Sequence, residues 1–280
     1  MSVDPPPRIV TDSTADIPAD VARRLDITVI PCQIHVQGCT YLDGIDITRR
    51  ELFDHLRRGD AVSTSQPAVG IFAETYRRAL ASGRRVIAIH LGSGFSGLYG
   101  TACVAAREVD SERIAMIDSR QVSMATGWLA ILAAEAAQQG LGLGQVLARV
   151  RQALSKLRLF ALIDDLRFVH RGGRIGWVSS MVGQLLAIKP IVLVRNNRVD
   201  LSEKVRSRLR GIDRLVALAG TLGHIERLAV LHADDPAGLA DLSPRLSGLV
   251  PQGSMLATEA GAIVCAHAGP GALGFACVLR

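Results

Sequence analysis

Short apolar runs alternate with amphipathic helical patterns through the first half of this 280-residue chain, and that alternation limits the possible folds most strongly. RIVTDST, RRVIAIHL and RIAMID read as strands. ITRRELFDHLRRG reads as a short helix, with Thr48 as N-cap and Glu51 three residues on. PAVGIFAETYRRALASG reads as a helix with Pro67 in its first turn and Gly83 as its stop. GLYGTACVAAREV, TGWLAILAAEAAQQG and GQVLARVRQALSKL supply three more. Strand–helix alternation with short connections predicts a parallel sheet covered on both faces. ITVIPCQIHV is a further apolar stretch, and VQGCTYLDGID reads as turns.

The second half opens at LFALIDDLRFVHRGGRI. Its strand candidates are IKPIVLV, ERLAVLH, GSMLATE and LGFACVL; its helices are WVSSMVGQLLA, SRLRGIDRLVALAGTLG and DPAGLADLSPRLSGL. The fold class is therefore α/β in two domains, 1–160 and 161–280.

At 49% hydrophobic residues and a mean hydropathy of +0.26, the chain can bury a sizeable core and is not disordered. No apolar run is long enough to span a bilayer: Thr126 to Ala134 ends at Glu135, and Met181 to Val194 is broken by Lys189. MSVDPPPRIV lacks an apolar signal core, so the expectation is a soluble, cytoplasmic protein without stable membrane insertion. The net charge of +6 comes from 32 basic and 26 acidic residues, and only Lys156, Lys189 and Lys204 are lysines. Arginine suits planar anions, although a GC-rich genome would also supply it. With 4% aromatics and no zinc finger or RNP box, nucleic acid is not an expected partner. Cys32, Cys39, Cys103, Cys265 and Cys277 show no CxxC spacing, and no two histidines lie three or four apart; no metal site is expected.

Five segments could carry chemistry. TDSTADIP places Asp12, Ser13, Thr14 and Asp16 directly after a strand, where they serve either as caps or in a pocket. STSQP puts Thr64 and Ser65 just before a helical pattern, so their hydroxyls are expected at a helix N-terminus. HLGSGFSGLYGTA presents Ser93, Ser96 and the Gly97 N–H in the form of an anion cradle. It lacks the lysine of a nucleotide P-loop and the frame of a nucleophile elbow. RFVHRGGRIG holds Arg171 and Arg174 around Gly172 and Gly173. CAHAGPGALG places His267 between an apolar strand and the turn Gly269, Pro270, Gly271.

Together with IDSRQVSMATG, IKPIV and EKVRS, these segments resemble the DegV family in order and over essentially the whole chain. The resemblance implies an N-terminal parallel-sheet α/β/α domain, a C-terminal α/β domain, and a lipid pocket between them. It implies a bound long-chain fatty acid such as palmitate, stearate or oleate, no cofactor, and no catalytic residue. Some members of the family are carrier subunits that present the fatty acid to a separate fatty acid kinase, which forms the acyl phosphate with ATP. By position the resemblance assigns Thr64, Ser96, His267 and Arg174 to the carboxylate end, with Ser93 close by. Asp12, Ser13, Thr14, Gly269, Pro270 and Gly271 would line the pocket loops. Leu98 and Ala268 stand where the family usually has threonine, which removes two hydroxyls from the expected head-group site. VRNNRVD departs from the family's usual glycine turn.

The physics agrees with such a ligand. Burying a sixteen-carbon tail yields on the order of 10 kcal/mol gross, and an unpaired buried carboxylate would forfeit several of these. Convergent donors are needed at one end and an apolar tunnel behind them. A serine-dependent acyl hydrolase using Ser96 and His267 is the alternative. Under the carrier reading, Arg206, Arg208 and Arg210 could dock an acidic kinase surface.

Overall fold

The computed structural model describes residues 5–172 and 188–280. Strands β1 (Arg8–Asp12), β2 (Ile27–Ile30), β6 (Val86–His90) and β7 (Ile114–Asp118) form an all-parallel sheet in the order β2-β1-β6-β7. Every residue of β6 is buried, as expected of a strand in a sheet covered on both faces. Helices α1 (Ala19–Arg24), α3 (Val69–Leu80), α4 (Leu98–Val109), α5 (Met124–Gln138) and α6 (Leu143–Leu154) belong to this half, with α2 (Arg49–Arg58) on its flank. The Thr48–Glu51 capping box of α2 forms as its spacing predicts.

A second, antiparallel sheet of three strands is inserted after β2: β3 (Gln33–Val36), β4 (Cys39–Leu42) and β5 (Val62–Ser65), in the order β4-β3-β5. Two expectations change here. VQGCTYLDGID contains the strand β4 rather than turns alone. Thr64 and Ser65 lie on β5, paired with Ile34 and Gln33, and α3 begins only at Val69. Their hydroxyls are thus on a strand and not at a helix N-terminus.

The C-terminal part is a six-stranded mixed sheet, β10-β9-β8-β13-β11-β12. Its strands are β8 (Leu157–Leu162), β9 (Lys189–Arg195), β10 (Arg198–Val205), β11 (Ile225–His232), β12 (Met255–Glu259) and β13 (Leu273–Leu279). The expected boundary near residue 160 falls inside β8, whose strand partners β9 and β13 belong to this sheet. Period-two alternation separates the two faces. Phe160, Leu162 and Ile191 face a core closed by α8 (Arg208–Gly220) and α9 (Pro236–Ser247). Leu159, Ile163, Val192 and Val194 turn to the opposite side, toward the first sheet. Helix α5 fills the space between the sheets, with 13 of its 15 residues buried. It packs on β1 and β6 on one side and on β8 and β13 on the other, and Trp128 Nε1 donates to the Ala276 carbonyl of β13 at 3.1 Å. Among the described residues no helix is long and apolar enough to cross a membrane.

The remaining helices are α7 (Leu166–Arg171) and α10 (Ala262–Ala268). The apolar run before His267 is thus helix α10, not a strand. Two buried carboxylates from the N-terminal half hold its start. Asp16 accepts from the Gly261 N–H at 3.0 Å and from the Ser123 hydroxyl at 2.5 Å, and Asp43 accepts from the Ala262 N–H at 3.2 Å. Burial, reinforced by the nearby Asp43 carboxylate, pushes Asp16 up to about 7 against the pull of its hydrogen bonds. Asp43 is raised by burial as well.

In the unfolded chain an aspartate releases its proton near pH ~4, whereas folded Asp16 keeps it to about 7. The folded state binds more protons across that window, so the contribution of Asp16 is fullest below ~4 and declines up to about 7. Asp16→Asn should remove this dependence. The urea midpoint of the wild type, measured against that of the variant, should fall between pH 5 and 8. A difference that does not change with pH would contradict the assignment.

Candidate functional site

A cavity of about 520 Å³ lies between the parallel sheet and the six-stranded sheet. Its apolar wall combines Leu159, Ala161 and Ile163 at β8, Val192 and Val194 of β9, and Val199 of β10. These residues are register neighbours, Ala161 against Val192 and Leu159 and Val199 against Val194, so they form one continuous apolar face. Leu91, Phe95, Leu98 and Val122 close the wall from the N-terminal half, and Val169, Ile263 and Val264 from α7 and α10.

Most polar groups of the lining lie on, or bond to, one segment. Thr64 on β5 meets His267 on α10, with Oγ1 and Nε2 2.9 Å apart. Two residues on, Gln66 accepts through Oε1 from the Ser96 hydroxyl at 3.4 Å and donates through Nε2 to Thr101 at 2.7 Å. Thr64–Gln66 therefore links the two predicted head-group residues Ser96 and His267, which come from distant parts of the chain. Ser96 Oγ also accepts the Leu98 N–H at 3.2 Å in the turn leading into α4, and Gly97 lies against the Gln66 amide. Ser65, in the lining beside Thr64, bonds to His35 Nε2 at 2.7 Å and donates to Gln33 at 2.9 Å. The spacing of STSQP did not reveal Gln66, because its role depends on α4 being packed against that segment.

The other expected residues are placed as follows. Thr14 and Cys32 line the cavity. Asp12 is fully buried behind it, facing His90 Nδ1 at 2.9 Å and accepting from Thr14 Oγ1 at 2.5 Å and the Leu91 N–H at 3.0 Å. Burial opposes its charge, but these bonds and the His90 imidazole outweigh burial and hold its carboxyl below the usual range. Ser13 Oγ accepts the Cys32 N–H at 3.1 Å and is outside the lining. Ser93 is outside it as well, its hydroxyl donating to Asp118 Oδ2 at 2.6 Å. Gly269 and Gly271 have φ of +77° and +83° and make the turn from α10 into β13. A side chain at Gly269 would strike Phe168, so this Gly-Pro-Gly turn shapes the backbone around His267 and does not itself line the cavity. Gly172 passes so close to the His267 ring that a Cβ there would lie 2.3 Å from Nδ1. Arg174 lies outside the described residues.

The hydroxyl of Ser96 is engaged with Gln66 and the Leu98 N–H, while His267 Nε2 is engaged with Thr64. Those contacts do not form a serine–histidine catalytic pair. Among the described residues no group of three or more His, Cys, Asp or Glu side chains could hold a metal ion. Arg208 is engaged within the chain: its guanidinium binds Asp164 Oδ1 at 3.1 Å, the Gly271 carbonyl at 2.6 Å, and Asp235. Arg206 and Arg210 are exposed on either side of Leu209, which is itself 67% exposed.

A family model described as "Uncharacterised protein, DegV family" matches residues 7–280. A DegV domain-containing protein of Streptomyces coelicolor is 34% identical over 270 residues, covering 95% of this chain and 96% of its own. One from Caldanaerobacter subterraneus is 33% identical over 269 residues, with coverage of 95% and 96%. Among solved structures, a DegV family protein of Thermus thermophilus described as fatty acid binding superposes with a TM-score of 0.91 at 31% identity, covering 98% of this chain and 99% of its own. DegV of Bacillus subtilis, described as a fatty acid binding protein, gives 0.85 at 29% identity, with 98% and 99% covered. The cavity between the sheets, the ordered motifs and these matches lead to one conclusion: the chain belongs to the DegV family.

Proposed function

We propose that this protein binds a long-chain fatty acid such as palmitate, stearate or oleate, with the tail in the cavity and the carboxylate at the Thr64–Ser96–His267 end. The observation that carries this reading is the cavity's continuous apolar wall together with a polar cluster on and around Thr64–Gln66. Its volume of about 520 Å³ is within the roughly 300–1,000 Å³ usual for small-molecule sites. Fourteen buried methylenes contribute about 11 kcal/mol gross, at ~0.8 kcal/mol each. Leaving the head charged and unmet would cancel much of that, so hydroxyl and imidazole donors at one end decide the orientation. Arg174, assigned to the same end by family position, would add a fixed positive charge. The Thermus thermophilus and Bacillus subtilis relatives described as fatty acid binding support the ligand class.

The protein acts in this reading as a carrier and not as an enzyme, handing its ligand to a separate fatty acid kinase. The two halves, expected at 1–160 and 161–280, serve as domains that enclose the lipid, with their division moved to just ahead of β8 so that the whole strand joins the C-terminal sheet. Arg206 and Arg210, flanking exposed Leu209, provide the basic docking patch.

Titration with a fluorescent fatty acid tests the site. Thr64→Val and His267→Ala should each weaken binding about 10- to 100-fold, the effect of losing one charge-assisted hydrogen bond. Wild-type affinity in both would refute the head-group assignment. In a reconstituted kinase assay, Arg206→Glu with Arg210→Glu should reduce acyl phosphate formation while leaving fatty acid binding intact. Unchanged phosphorylation would remove the docking patch from the account.

A further inference from the structure

Beyond the packing of α5 on β8, the apolar wall of the cavity is tied to the N-terminal half at the β9–β10 turn, where VRNNRVD departs from the family's glycine. Strands β9 and β10 carry Val192, Val194 and Val199 and join through a two-residue turn, Asn196-Asn197, with Arg195 paired to Arg198. Both turn residues have positive φ, +50° and +63°, as a tight type I′ hairpin requires. Asn tolerates this conformation better than other residues with side chains, but glycine adopts it at lower cost.

Here the side chain reaches across. Asn197 Nδ2 donates to Ser93 Oγ and to Asp118 Oδ2, each at 3.2 Å, and its backbone N–H donates to the Arg120 carbonyl at 2.9 Å. Asp118 is held in place by the Ser93 and Arg120 N–H groups at 3.1 and 2.9 Å. The receiving loops are built for the insertion. A Cβ at Gly92 would fall 2.3 Å from Asn197 Oδ1, and one at Gly94 would fall 2.6 Å from Asn197 Cβ. Leu91, Phe95 and Val122, next to these loops in sequence, form the opposing part of the cavity wall.

We infer that Asn197 is a positioning residue that clasps the β9–β10 wall against the loops after β6 and β7 and thereby sets how long a fatty acid stays in the cavity. This rests on the fatty acid reading above. A tail lying against a wall that can swing away leaves faster than one against a fixed wall, so the clasp acts on release more than on the contacts of the bound tail. The hydrogen bond to a carboxylate is the stronger of the two.

Asn197→Gly is the clean test, because glycine keeps the turn while the side-chain bonds disappear. Release of a fluorescent fatty acid, followed after mixing with excess palmitate, should be roughly five- to tenfold faster than in the wild type, with the melting temperature preserved. Asn197→Asp, which sets a second carboxylate against Asp118, should release faster still. Amide hydrogen exchange across residues 191–201 in the ligand-free protein should also rise in Asn197→Gly. Release and exchange both equal to wild type would overturn the clasp. If the wild type takes up no fatty acid, the ligand reading fails, and the clasp is then judged on the exchange of the wall alone.

Discussion

The hydrogen bond between Thr64 and His267 joins residues 203 apart in sequence, and the polar end of the cavity depends on it. Each partner must be placed independently. Thr64 is placed by the pairing of β5 with β3, a strand that itself follows directly on the parallel sheet. His267 is placed by α10, whose first turn is gripped by Asp16 and Asp43 and whose end is turned by Gly269 and Gly271. A seven-residue helix is too short to be stable alone, so these contacts, and not its own propensity, fix its position.

The same economy of placement governs the apolar end. The six-stranded sheet uses one face for its own core under α8 and α9 and offers the other to the cavity. That division follows from strand pleating alone. Helix α5, apolar except near Glu135 and Gln138, lies between the two sheets and packs on both. Behind the cavity, Asp12, His90 and Tyr76 form a buried polar chain, with Tyr76 Oη 2.8 Å from His90 Nε2. It ties β1 and β6 to α3 in the region where loops that line the cavity begin.

Much of this was legible in the sequence. Strands β1, β6 and β7 are short apolar runs bounded by turn signals and helical patterns, and α5 and α6 are too long for anything but helices. What the patterns missed has physical causes. VSTS has no apolar alternation, and it is a strand only because β3 lies beside it. GAIVCAHA is a short apolar run, and periodicity alone does not separate a buried strand from a buried helix at that length. The hydroxyls of Ser93 and Ser96 look equivalent in the motif, yet Asp118 takes one and Gln66 the other. Asp16 reads as a turn residue, and nothing local shows that the fold buries it against Gly261, 245 residues away. The DegV resemblance brought Thr64, Ser96 and His267 together before any geometry did, whereas Gln66 and Asn197 emerge only from the packing of one segment on another.

In the reading proposed above, the cavity holds a single acidic lipid. Native mass spectrometry of the protein purified without added lipid, followed by denaturation and identification of what is released, tests it most directly. The expected result is one long-chain fatty acid per chain, lost on denaturation. Protein that is ligand-free and stays so after incubation with palmitate, stearate and oleate would contradict it.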